Sequence, residues 1–201
     1  MRYWLLAVAL FMLPSMTDAM EEPDYAVIRK LGAVEVRYYA PYVVAQVLVA
    51  GPEDIAGDQG FPILADYLFG KNKGEKQPAV TAPVPQILIP VRLQMTAPVM
   101  QSATPGGFMV QFVLPKSINL ASAPEPIDER VQLHAVAANK RAAIAFSGLW
   151  SEANYGEHLE KLKGALRAID LPWIGEPVYA RYNPPSTPWF MRRNEIWLAV
   201  Q

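Results

Sequence analysis

Apolar positions along this chain change period several times, and each change marks an element. Tyr25–Lys30 and Val34–Tyr39 alternate β-branched and aromatic residues with polar ones about Leu31-Gly32-Ala33, which predicts a β-hairpin. Tyr42–Ala50 is almost continuously apolar and predicts a third, central strand ended by Gly51-Pro52. From Asp58 to Gly70 the period lengthens. Phe61, Leu64, Ala65 and Leu68 share one helical face, Pro62 falls in the first turn and Gly70 is the stop. Residues 71–106 carry six prolines and read as irregular. They also hold a small duplication, Val80-Thr81-Ala82-Pro83-Val84-Pro85-Gln86 against Met95-Thr96-Ala97-Pro98-Val99-Met100-Gln101. Phe108–Leu114 is a strand closed by Pro115. Beyond the proline-rich linker 123–126, Val131–Val136 and Arg141–Ser147 predict a second hairpin about Asn139-Lys140. Ser151 caps a second helix with Tyr155, Leu159, Leu162, Leu166 and Ile169 as its buried stripe, and Pro172 lies past its end. Val178–Tyr182 and Glu195–Val200 are closing strands.

Hairpin, helix and strands thus occur twice, in halves of roughly 90 residues. This predicts one α+β domain: a pseudo-two-fold symmetric, antiparallel, barrel-like sheet with two main helices against it.

Composition narrows the function. Of 201 residues, 52% are hydrophobic and 18% charged, enough apolar material for a core. A net charge of −1 and no long Lys/Arg run argue against a nucleic-acid groove. Cysteine is absent, which removes disulfides, thiolate metal sites and thiol nucleophiles together. Arg2, the eleven-residue apolar run Tyr3–Leu13 and the small residues before Met20 fit a secretory signal over residues 1–19. The expected location is periplasmic or secreted, with the domain at 20–201. An uncleaved N-terminal anchor is the alternative, and no membrane span is expected after cleavage. GxSxG, Walker A, HExxH and GxGxxG are all missing, and nothing couples a nucleophile to a base, so a non-enzyme is expected.

Five segments carry a family resemblance: Glu35-Val36-Arg37-Tyr38-Tyr39-Ala40-Pro41, Tyr67-Leu68-Phe69-Gly70-Lys71-Asn72, Met95-Thr96-Ala97-Pro98-Val99, Phe112-Val113-Leu114-Pro115 and Phe146-Ser147-Gly148. With the run from Glu176 to Trp197, the closest match, they resemble the SOUL family of haem-binding proteins in that family's order. The resemblance implies a distorted β-barrel of two repeats, non-covalent binding of haem or related tetrapyrroles, and no established reaction. One departure stands out. The family passes almost directly from the glycine/lysine loop to the Met-Thr-Ala-Pro-Val segment, whereas about 18 residues (77–94) intervene here.

Haem requires an apolar cleft, a ligand if iron is strongly coordinated, and donors for two propionates. Met95, Met100, Met109 and Met191 suit a cleft wall or simply fill core gaps. His134 groups with the outward-facing Gln132. His158 lies on the flank of the second helix's stripe, either half-buried and hydrogen-bonded or an axial ligand to haem iron. Where the family places a histidine proposed to hold iron, this chain has Tyr38, which is either a tyrosinate ligand or an ordinary sheet tyrosine. Arg37, Lys71, Arg192 and Arg193 are candidate propionate partners. The candidate cofactor contacts are therefore His158, Tyr38, Met95 and Arg37, with His158 or Tyr38 on the metal. Three functions follow: an exported protein that buffers, scavenges or carries haem; a module for another hydrophobic small molecule, since the two-repeat architecture also resembles effector-binding domains of bacterial multidrug regulators; or an envelope interaction protein without a ligand.

Overall fold

The computed structural model describes residues 20–74 and 89–201. The expected leader 1–19, the first copy of the duplicated segment and most of the 77–94 insertion lie outside the described residues. Nine strands and two helices follow in order: β1 (Tyr25–Leu31), β2 (Val34–Tyr39), β3 (Tyr42–Val49), α1 (Glu53–Leu68), β4 (Val99–Thr104), β5 (Gly107–Val113), β6 (Gln132–Val136), β7 (Asn139–Phe146), α2 (Glu152–Arg167), β8 (Trp173–Arg181) and β9 (Asn194–Val200). All nine strands join one antiparallel sheet in the order β1-β2-β7-β9-β8-β4-β5-β3-β6.

Reading that order from its middle exposes the two-fold. β4 faces β8 at the centre, β5 and β3 lie on one side, β9 and β7 on the other, and each half carries a 16-residue helix. The strand preceding each half crosses over: β2 pairs with β7, and β6 pairs with β3. The expected second hairpin is therefore overturned. β6 and β7 are sequence neighbours but enter opposite halves, just as β2 and β3 part at Ala40-Pro41. The β1–β2 hairpin stands.

The expected barrel does not close. β1 and β6 are the free edges, yet the sheet curls far enough for side chains of both to share one interior cluster: Tyr25 and Val136 pack around Tyr39, Val44, Met100, Val113, Ala143, Ala180 and Trp197. The opposite face is covered by the helices. Leu64, Tyr67 and Leu68 of α1 pack on Ala45, Val47, Val110 and Phe112, while Tyr155, Leu162 and Leu166 of α2 pack on Val36, Ala142, Ile144, Ile196 and Leu198.

Two further expectations are corrected. Helix α1 begins at Glu53 rather than Asp58, its acidic first turn (Glu53, Asp54) matching the positive helix end. Pro62 consequently sits inside the helix, not in its first turn. Val99–Thr104 belongs to no irregular stretch; it is the strand at the two-fold, bracketed by Pro98 and Pro105 and not interrupted by them. In α2 the Ser151 Oγ accepts a hydrogen bond from the Asn154 backbone N–H at 3.3 Å, as its sequence predicts.

Candidate ligand-binding site

A largely apolar cleft of about 450 Å³ opens between α1, the start of β4 and the loop that follows β8. Helix α1 contributes Gly57, Asp58, Phe61 and Pro62, and the incoming strand contributes Met95, Thr96, Ala97, Val99 and Gln101. Trp150, Arg181, Tyr182 and Asn183-Pro184-Pro185 form the opposite wall, with Met20 at the rim. The β4–β8 pairing puts Val99 directly across from Arg181, so the floor is the seam between the two halves.

Each wall is fixed by its own sequence. Pro62 has no N–H to offer the Asp58 carbonyl four residues back, and both residues face the cleft. Gly57 lets the helix settle onto the floor: a Cβ there would stand 3.0 Å from both Arg181 Nη1 and Gln101 Oε1. Gln101 is buried, and its Nε2 donates to the Glu53 carbonyl at 2.8 Å. Its Oε1 is, among the described residues, a buried side-chain polar atom with no hydrogen-bond partner.

The opposite wall is braced by aromatic and guanidinium groups. Trp150 donates its indole N–H to Asn194 Oδ1 at 2.8 Å, and the guanidinium carbons of Arg181 and Arg192 lie 4.8 and 4.5 Å from its ring centroid. Arg192 also staples the proline loop, donating to the carbonyls of Thr187 (2.8 Å) and Pro185 (2.7 Å). Arg181 donates through Nε to the Tyr155 hydroxyl at 3.2 Å, which leaves its remaining N–H groups toward the cleft as the cation nearest an anionic substituent.

Behind Tyr182 lies a buried charge network. Glu195, fully buried, accepts from Arg37 (2.7 and 3.3 Å), Arg193 (2.8 and 3.1 Å), the Tyr182 hydroxyl (3.2 Å) and the Trp197 indole N–H (2.6 Å). Burial pushes its carboxyl upward, but the hydrogen bonds and charge of Arg37, reinforced by Trp197 and Arg193, prevail and hold it below the usual carboxylate range. Burial drives the Tyr182 phenol well above its ordinary value, so it stays a neutral donor. Arg193 reaches on to Glu22 at 2.9 and 3.1 Å, tying the segment that carries Met20 to the cleft.

Of the four residues singled out from sequence, only Met95 lines the cleft. Arg37 is buried behind it in the Glu195 network. Tyr38 points outward from β2, about half exposed, opposite Ala26 and Lys140. His158 is half-buried on α2. Its Nδ1 lies 2.8 Å from the Asn154 carbonyl, and its ring stacks on Phe146 with centroids 4.1 Å apart. His134 is exposed on edge strand β6. Met100 is in the core, Met191 is exposed, and Lys71 pairs with Asp66. Sequence reasoning passed over Gly57, Phe61, Pro62, Gln101, Trp150 and Arg181. The one available signal was the long C-terminal matching run, which contains Arg181–Pro185.

Comparison with known proteins bears on the fold and the family. Mouse "Heme-binding protein 1" is 28% identical over 148 residues, 73% of each chain. In three dimensions the chain is similar to the C-terminal domain of EcmrR (TM-score 0.56, 10% identity, 88% of this chain and 98% of that one). It is also similar to a protein from Listeria innocua described as a hydrolase (TM-score 0.53, 11% identity, 87% and 94%). Likeness at such identities speaks for the fold alone, and it is the effector-binding-like fold read above. The model of the family described as SOUL heme-binding protein matches residues 20–199, so the chain belongs to that family.

Proposed function

We propose that this protein binds haem or a related tetrapyrrole non-covalently in the cleft beside α1, and that it buffers or carries the ligand in the cell envelope without catalysing a reaction. The observation that carries the reading is the cleft itself: an apolar hollow of ligand size in a chain of a haem-binding family. Its chemistry fits a flat macrocycle. Phe61, Pro62, Met95 and Val99 offer apolar surface to a ring face, and Arg181 offers charge to a propionate. Bound haem would supply an iron centre. The cleft residues able to approach it are the thioethers of Met95 and Met20, since neither His158 nor Tyr38 lines the hollow. Retention therefore rests on apolar contact and ion pairing more than on a strong axial bond. The arginine and apolar run at the start of the sequence support the part of this reading that sets the binding outside the cytoplasm.

Hemin titrated into residues 20–201 is expected to give a saturable Soret shift at one-to-one stoichiometry. Phe61→Asp should weaken it by tenfold or more, while His158→Ala and Tyr38→Ala leave the spectrum unchanged. A featureless, non-saturating titration would defeat the proposal. A spectrum altered by His158→Ala alone would move the site to α2.

A further inference from the structure

Beside the cleft mouth the chain leaves a cluster of large apolar side chains in solvent. After Pro188 a single 3₁₀ turn, Trp189–Met191, exposes three in succession: Trp189 at 57%, Phe190 at 61% and Met191 at 65%. The Gly148 N–H donates to the Trp189 carbonyl at 3.0 Å, which brings Leu149, itself 58% exposed, to the same place. The turn is held rigid from behind. Trp189 meets Phe190 edge-on at 5.6 Å between centroids, Arg192 pins the preceding loop, and Asn183 Oδ1 accepts from the Arg193 backbone N–H at 2.6 Å. A preorganised projection of four bulky apolar groups is no ordinary scatter of surface hydrophobics. An exposed tryptophan among apolar neighbours, with Arg192 next in the chain, is the composition of a side that enters the headgroup boundary of a bilayer.

A second observation points the same way. The apolar run Tyr3–Leu13 lies outside the described residues and ends seven residues before Met20, at most about 25 Å of extended chain. Met20 lines the cleft whose far wall, the loop 183–185, leads into the apolar turn. In the alternative in which the leader is kept as an anchor, the chain's most membrane-seeking segment is thus joined at the cleft rim, across from the loop that leads into the exposed turn.

We propose that the Trp189–Met191 turn, with Leu149, is a membrane-docking face that seats the cleft mouth on a lipid bilayer. The occupant is lipid. An apolar macrocycle dissolved in the bilayer would then reach the cleft without crossing bulk water. Docking by the turn stands apart from the ligand assignment; only its use in loading the cleft rests on that assignment.

The test uses residues 20–201, which contain every described strand and helix, so that the apolar run's own affinity for lipid does not intrude. The protein is floated with phosphatidylcholine vesicles, with and without phosphatidylglycerol. The parent is expected to float, and Phe190→Ser with Met191→Ser to cut the vesicle-bound fraction by about tenfold or more, with unchanged circular dichroism and an unchanged hemin titration. Met191→Ser alone should fall between the two. A parent chain that does not float, or a double variant that floats equally well, overturns the proposal. So does concentration-dependent self-association that the double variant abolishes, because a second copy would then be what covers the face. Failed flotation with intact hemin binding sinks docking alone; failed hemin binding with intact flotation sinks the ligand reading alone.

Discussion

Replacing Glu195 by Gln tests the structure where its electrostatics are most concentrated. Glu195 is fully buried, and its strongest partner, Arg37, has a side chain only 5% exposed. Gln keeps the shape but removes the charge, and its NH₂ must face either the Arg37 and Arg193 donors at one oxygen or the Arg37, Tyr182 and Trp197 donors at the other. Either orientation sets donor against donor. Breaking one side of a buried ion pair costs roughly 3–5 kcal/mol, because a charge is left buried without its counter-ion. Arg37 retains Glu35 at 2.9 Å, and Arg193 retains Glu22, so the low end, about 3 kcal/mol, is expected. For a domain of this size that lowers Tm by roughly 6–12 °C. Urea and thermal unfolding followed by circular dichroism measure it. The paired change Arg37→Met with Glu195→Leu should recover part of the loss, since apolar replacement of a whole buried pair is often neutral. Because Glu195 also holds the Tyr182 hydroxyl at the cleft wall, the single variant should bind hemin more weakly at temperatures where it is still folded. A loss below about 1 kcal/mol, or a double variant worse than the single, would refute the view of Glu195 as the hub that joins β2, β9 and the N-terminal segment.

Four further outcomes follow from the same geometry. Gly60→Ala ordinarily favours a helix by up to ~1 kcal/mol. Here the new Cβ would lie 2.7 Å from Val110 Cγ2, so a net loss of about 1–3 kcal/mol is expected, relieved in part by Val110→Ala. Because Glu195 titrates below its unfolded value of about 4.3, the unfolded chain binds its proton first as pH falls. Its stabilisation is therefore complete above that pH and is lost on acidification through the lower folded value, and urea midpoints of Glu195→Gln should show a shallower drop across that window. Ser151→Ala removes the α2 cap and should cost about 1 kcal/mol in urea unfolding. Gly57→Leu drives a side chain toward Arg181 and Gln101, and hemin titration should show affinity falling more than stability does.

What the sequence made legible, and what it hid, divides along a physical line. Period and punctuation report on a residue's immediate neighbours, and wherever those neighbours decide the outcome the reading holds: the β1–β2 hairpin, the runs of β3 and β5, the Ser151 cap and the Tyr155–Leu166 stripe all formed as expected. Pairing across the two-fold has no local trace. β2 meets β7, and β3 meets β6, across roughly a hundred intervening residues, so the rule that consecutive strands pair gave a second hairpin where the chain instead exchanges strands. The same blindness explains the site. A search by side-chain chemistry ranks histidine and tyrosine first, yet His158 is spent on a carbonyl and a phenyl ring, and Tyr38 faces outward. The cleft is instead built from residues chosen for shape: Gly57 for close approach, Pro62 and Pro184-Pro185 for rigidity, Gln101 to tie the floor to the start of α1. Its floor is the β4–β8 seam, where Val99 of one half lies against Arg181 of the other. Neither repeat contains the hollow by itself. It exists only once the halves have exchanged strands and joined, which is why a ligand seated there should stabilise the union of the repeats and not just one of them.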